Sequence, residues 1–321
     1  MSWLVWCAAI VTLVFLIGAG AGRLAERNTP PLGEFVDVDG ARIHLVDIAP
    51  DNPSGPPIVL IHGASVNLRD MWLALGDELA KSRRVIVLDR PGRGYSTRPA
   101  DGWRLDVQAR LIHGALMEKG VERPVIVGQS FGGAVALAYA LQYQPEMSGL
   151  VLLASVSHEW PGDVAWYNKA SGWPLAGFLL RRLVIPVYGP LAAKQGVIKS
   201  FAPDEAPENY YEKSGLTLLF RPHDFKNNAA DLRHLKSQII KMSRRYGELT
   251  LPVAIITGAD DDTVSPTLHS AKLAATLTRA EYQVLPDTGH ALHHAETAVI
   301  VAAINRLADG RQNRQGAVPV R

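Results

Sequence analysis

The chain has 321 residues, 47 % of them hydrophobic and 20 % charged, and its 33 Lys and Arg against 31 Asp and Glu leave a formal charge of +2. This composition fits a folded chain with a substantial core, in one large α/β domain or two smaller ones, and excludes a disordered or collagen-like polymer. The balanced charge implies no nucleic-acid partner, and a single cysteine, Cys7, excludes an intrachain disulfide and a cysteine-based zinc site.

Trp3 to Gly22 form twenty positions without a charge, about 30 Å of helix, which matches one hydrocarbon core. A single-pass membrane anchor within residues 1–27 is the expectation, with Trp3 and Trp6 suited to one interface and Arg23 and Arg27 flanking the other end. The alternative is a signal segment cleaved near Ala19-Gly20-Ala21, which would leave a secreted or periplasmic protein. Asn28 to Gly33 read as a short linker. Gly33 to Asp39 and Ala41 to Ile48 alternate apolar and polar residues about Asp39-Gly40, a hairpin signal.

Apolar runs bounded by turn residues follow at Pro57 to Ile61, Arg84 to Leu88, Pro124 to Val127, Leu150 to Leu153, Pro252 to Ile256 and Tyr282 to Leu285. They read as buried parallel strands. Helical patterns lie between them at Leu68 to Lys81, Val107 to Lys119, Gly133 to Tyr143 and Ser265 to Leu277. This alternation predicts an α/β fold: a mostly parallel, doubly wound sheet, helices on both faces, an antiparallel hairpin at its start. The alternation lapses over 156–248, which hold 12 of the chain's 23 aromatics and read as a helical cap with an apolar ligand gorge, although each ring alone could serve the cap's own core. The core is then 28–155 with 249–308, followed by a polar tail, 309–321.

Gly128-Gln129-Ser130-Phe131-Gly132 stands between a buried strand and a helical run. This is the setting in which G-x-S-x-G forms a strained turn that lifts a serine clear of the sheet, with Gly128 and Gly132 letting helix and strand pass closely. Four further motifs occur in order: Ile61-His62-Gly63-Ala64, Asp89-Arg90-Pro91-Gly92-Arg93-Gly94-Tyr95-Ser96, Gly258-Ala259-Asp260-Asp261-Asp262, and Asp287-Thr288-Gly289-His290. With these the chain, from about Gly33 to Leu307, resembles the α/β-hydrolase family, in particular serine members with an inserted cap.

The resemblance implies a triad of Ser130, Asp261 and His290, with backbone N–H groups of Ala64 and Phe131 as the oxyanion hole. A serine hydroxyl needs a base to take its proton, and the base needs a carboxylate to orient it. Asp261 fits the family register, while Asp260 and Asp262 stay open as alternatives. His62 is expected beneath the oxyanion loop, His293 and His294 at a helix start, and His44, His113 and His269 in incidental places. Serine rather than aspartate at the elbow sets the chain apart from haloalkane dehalogenases and epoxide hydrolases. The favoured activity is hydrolysis of a small to medium, mostly apolar carboxylic ester through an acyl-enzyme. A C–C hydrolase of the meta-cleavage-product type, a thioesterase, a perhydrolase and a non-catalytic ligand-binding relative remain as alternatives. Neither a metal nor a cofactor is expected: there is no HExxH motif, P-loop or G-x-G-x-x-G turn.

Overall fold

The computed structural model describes residues 3–311, leaving out the side chains at 4, 7, 8 and 11; Met1, Ser2 and 312–321, most of the expected tail, lie outside the described residues. Eight strands form one sheet: β1 (Glu34–Val38), β2 (Ala41–Ile48), β3 (Ile58–Ile61), β4 (Val85–Leu88), β5 (Val125–Gln129), β6 (Gly149–Leu153), β7 (Val253–Gly258) and β8 (Ala280–Leu285). Their order is β1-β2-β4-β3-β5-β6-β7-β8. The hairpin and the β2–β4 pair are antiparallel, and every later pair is parallel.

The central strands are short runs of Val, Ile and Leu because both their faces are covered. Alternate residues serve opposite cores. Val59, Ile61, Ile86 and Leu88 join the cluster beneath Leu105–Glu118 and Phe131–Tyr143, while Ile58, Leu60, Val85 and Val87 pack with Leu75, Leu79, Ile300 and Ile304. All eight expected strands form, two at the alternating hairpin and six at the apolar runs. The helix expected over Leu68 to Lys81 is interrupted by a π turn at Trp72–Gly76. Gly76 makes room there, since a Cβ on it would lie 2.5 Å from the Trp72 ring. The Thr297–Ala308 helix completes one face and was not anticipated.

Between β6 and β7 the chain is helical, with Trp166–Ala170, Pro174–Leu179, Ile185–Phe201, Tyr210–Lys213 and Pro222–Met242 as its main pieces. Its aromatics divide. Phe220 and Phe225 pack with Ile185 and Ala229 in a separate small core, Phe201 and Tyr210 pack on Ala291, and Tyr246 enters the main core. Trp166, Trp173 and Tyr188 face outward. The rings therefore do not gather into one gorge.

The N-terminal run forms the helix Trp3–Asn28. The expectation of a membrane-spanning anchor at Trp3 to Gly22 gains no support: among the described residues, the helix long and apolar enough to cross a membrane is Pro174–Phe201. From Gly18 onward the N-terminal helix is seated on protein instead. A Cβ on Gly18 would lie 2.6 Å from the Arg182 carbonyl oxygen, Ala25 is buried, and Glu26 pairs with Arg221 at 3.1 Å. Tyr95 Oη donates to the Thr29 carbonyl at 2.5 Å. A cavity of about 160 Å³ lies beneath this seat, lined in part by Ala21, Leu24, Pro186 and Phe220.

Candidate active site

β5 ends at Gln129 and the next helix starts at Phe131, so Ser130 alone makes the turn, at φ 53° and ψ −116°. Positive φ at a non-glycine residue is strained. Ser130 N donates to the Leu153 carbonyl at 2.9 Å, and its own carbonyl accepts from Gly133 and Val156. Gly128 and Gly132 meet the steric demand. A Cβ on Gly128 would lie 2.5 Å from the Gly132 carbonyl oxygen, and one on Gly132 would lie 2.5 Å from that of His62.

Three neighbouring aspartates occupy different surroundings after β7. Asp261 is buried, and its Oδ2 lies 2.8 Å from His290 Nδ1 while Oδ1 accepts from the Thr263 and Val264 amides at 2.9 and 2.8 Å. Asp260 and Asp262 are exposed, the latter 3.6 Å from Lys199 Nζ. The loop carrying His290 folds against the acid turn through Gly258, where a Cβ would lie 2.5 Å from the Gly289 carbonyl oxygen. Ser130 and His290 are both buried, each 8 % exposed.

No hydrogen bond joins Ser130 Oγ to His290 in this structure. The Gln129 amide nitrogen lies 3.3 Å from His290 Nε2 and donates to the His290 carbonyl at 3.4 Å. Gln129 thus occupies the imidazole edge that a nucleophile would use. Sequence reasoning passed over it as the variable position of the pentapeptide, although its place beside Ser130 was a signal.

Ala64 follows β3, and Phe131 opens a helix. Neither N–H is engaged in a turn or loop hydrogen bond, and Phe131 N also carries the positive end of a helix dipole. Beneath them lies a buried scaffold. His62 Nε2 accepts from Arg90 N at 3.0 Å, which leaves Nδ1–H to donate to the Gly63 carbonyl at 2.8 Å. The Arg90 guanidinium is fully buried, donates to the carbonyls of His62 and Gly63 at 3.1 and 3.2 Å, and stacks 4.2 Å from the Phe131 ring centre. One guanidinium therefore braces both amides. Arg90 also pairs at 3.0 Å with Asp231 on the Pro222–Met242 helix, and Asp231 binds Arg98 as well. Burial lowers Arg90 to about 10 against the opposing pull of Asp231.

The histidines expected to be incidental have partners. His44 Nδ1 pairs with Asp89 at 2.7 Å, and His269 Nδ1 accepts from the Ser157 and His158 amides at 3.2 and 3.1 Å. His293 and His294 do more than open a helix. Their Nε2 atoms lie 3.0 and 2.9 Å from the two oxygens of buried Asp70, to which Tyr210 Oη also donates at 2.6 Å. The three ligand-type atoms lie within 4.8 Å of one another. Asp70 is fully satisfied by these three donors, so the cluster reads as a hydrogen-bonded tie from Tyr210 to the loop after His290. Burial would raise Asp70, but the His293 and His294 contacts hold it well below the usual carboxylate range. Burial pushes His293 down.

A stability consequence follows for acid. Burial pushes His62 down to about 3, with Arg90 adding to the effect, and pushes His269 to about 4. Both are neutral in the fold yet take a proton near 6.5 once unfolded. Stability is therefore fully present above about 6.5 and is lost as pH falls below it, by roughly 2 kcal/mol for His62 alone between pH 7 and 5. Denaturant midpoints at those two pH values should show the drop, and equal midpoints would contradict it.

A profile of the alpha/beta hydrolase family matches residues 58–304. The chain belongs to this family. Like its hydrolase-named relatives, it is a hydrolase. It is 30 % identical over 278 residues to 2-hydroxymuconate semialdehyde hydrolase of Pseudomonas sp. strain CF600, covering 83 % of this chain and 90 % of that protein. Among solved structures it is similar to an esterase from Exiguobacterium antarcticum, with TM-score 0.70, 21 % identity, and coverage of 87 % of this chain and 100 % of that one. It is also similar to a meta-cleavage product hydrolase, with TM-score 0.66, 22 % identity, and coverage of 87 % and 98 %. These two likenesses establish the fold alone.

Proposed function

We propose that this chain is a serine hydrolase that cleaves a carbon–carbon bond next to a carbonyl, with Ser130 as nucleophile, His290 as base and Asp261 as the acid that orients it. The observation that carries the choice of bond is the 30 % identity along 90 % of 2-hydroxymuconate semialdehyde hydrolase. It displaces the carboxylic ester, which motifs alone favoured.

Ser130 Oγ attacks the carbonyl carbon as its proton passes to His290 Nε2, and the oxyanion is received by the Ala64 and Phe131 amides. For that encounter the Gln129 amide must leave Nε2 to the Ser130 hydroxyl. Collapse of the tetrahedral intermediate breaks the C–C bond. The electron pair goes to the leaving carbon, which needs a conjugated oxo or enol group to hold it, and that carbon takes the proton from His290. Water then hydrolyses the acyl-enzyme, again with His290 as base.

With purified protein, 2-hydroxymuconate semialdehyde should lose its conjugated chromophore with kcat/KM about 100-fold above that for p-nitrophenyl butyrate, and Ser130→Ala should abolish both activities. A clear preference for the ester would return the first place to an esterase. Membrane association through the N-terminal helix is proposed in a reduced form. Trp3, Trp6, Ile10, Leu13, Leu16 and Ile17 are exposed, while the helix is seated on protein from Gly18. The stretch before Phe15, whose ring meets Arg182, is about 18 Å long, short of a full hydrocarbon core.

A further inference from the structure

We infer that the outer face of the Pro174–Phe201 segment is a docking surface for an anionic lipid bilayer, continuous with the free half of the N-terminal helix. The inference rests on the membrane reading above and extends it to a surface of the cap. On the Ile185–Phe201 helix one face is buried through Ile185, Pro186, Gly189 and Phe201. The opposite stripe, Val184, Val187, Tyr188, Leu191 and Ile198, follows helical spacing with one polar residue, exposed Gln195, among them, and its apolar members are 46–65 % exposed. A helix on a water-facing surface carries polar residues along that stripe. Leu175 at 72 % exposed and Trp173 at 60 % extend the patch, which as a whole exceeds the scattered apolar residues normal on a soluble surface.

Charge selects the occupant. From Val164 to Pro203 the chain contains Lys169, Arg181, Arg182, Lys194 and Lys199 and no Asp or Glu. Two of these cations are engaged at the margins, Lys169 with Asp163 and Lys199 with Asp262. Arg182 sits where the two apolar surfaces meet, its guanidinium 5.6 Å from the Phe15 ring of the N-terminal helix and 4.6 Å from that of Phe178. A guanidinium at that level marks a headgroup plane, with Trp3 to Phe15 projecting beyond it into the acyl region. Exposed aliphatic and aromatic side chains beside Arg182 and Lys194, on a segment that carries no acid of its own, match negatively charged phospholipid. The helix also ends on the catalytic loop, since Ala291 N donates to the Ser200 carbonyl at 3.0 Å. The lipid face and His290 thus belong to connected structure.

The test is vesicle co-flotation of the full chain, using phosphatidylcholine alone and phosphatidylcholine with phosphatidylglycerol. Wild type should bind the anionic vesicles more tightly, and added salt should weaken binding. The pair Val187→Glu with Leu191→Glu should lower affinity about tenfold or more and leave turnover of a small soluble substrate unchanged. In parallel, Leu13→Glu with Leu16→Glu reads the N-terminal helix by itself. If the cap pair binds like wild type while the helix pair does not, the cap surface is overturned and the helix reading stands. If wild type binds neither vesicle, both readings fall. A detergent-free dimer that the cap pair abolishes, without vesicle binding, would assign the face to a second copy of the chain.

Discussion

Asp261→Asn should lower kcat about 10⁴-fold with little change in folding. The carboxylate holds His290 through Nδ1 at 2.8 Å, and its second oxygen is fixed by two amides, so the isosteric amide keeps the turn but presents the wrong group to the imidazole. With Nδ1–H no longer held by an anion, the tautomer that leaves Nε2 free to take a proton loses its support. Asp260→Asn and Asp262→Asn should stay within about threefold, because exposed charges near a site contribute little through water. Steady-state rates of the three variants on one substrate decide this. A crippled Asp262→Asn beside a healthy Asp261→Asn would make Asp262 the acid and overturn this register.

Removing a carboxylate that carries no chemistry should instead cost the fold heavily. Asp231 is fully buried between Arg90 and Arg98. Asp231→Leu would leave two guanidinium groups without their counter-charge in the interior, a change that typically costs about 3–5 kcal/mol. Asp231→Asn keeps a polar group against both and should cost less. The loss is expected as a lowered denaturant midpoint, accompanied by a lower kcat if Arg90 then releases Gly63 and Phe131. An unchanged midpoint would show that the Pro222–Met242 helix does not depend on this ion pair.

Much of the site was legible because its constraints are local. The strand, tight turn and helix around Ser130 demand small residues at 128 and 132, and the sequence supplies them. The acid turn could be placed by register within one loop, and the structure distinguishes its three aspartates by burial. What could not be read depends on partners far along the chain. Arg90 meets Asp231 across 141 positions, and nothing near either residue announces the other. The tie of Asp70 to His293 and His294 spans more than 220 positions. From the sequence, His293 and His294 therefore read only as residues that shape a helix start.

The N-terminal helix illustrates a different limit. Hydropathy reports that a segment avoids water and is silent on whether lipid or protein covers it. Gly18 and Gly22 fall within the uncharged span, yet a Cβ on Gly18 would meet the Arg182 carbonyl oxygen, and Ala25, just beyond the span, is buried. The choice of bond is likewise outside the motifs, since ester and C–C hydrolysis place the same demands on serine, histidine and aspartate.

Mass spectrometry of the full chain after exposure to a fluorophosphonate tests the account most directly. One adduct per molecule is expected, on the peptide carrying Ser130, lost in Ser130→Ala and strongly slowed in Asp261→Asn. An unmodified chain that still turns over substrate, or an adduct at another residue with Ser130 untouched, would contradict it.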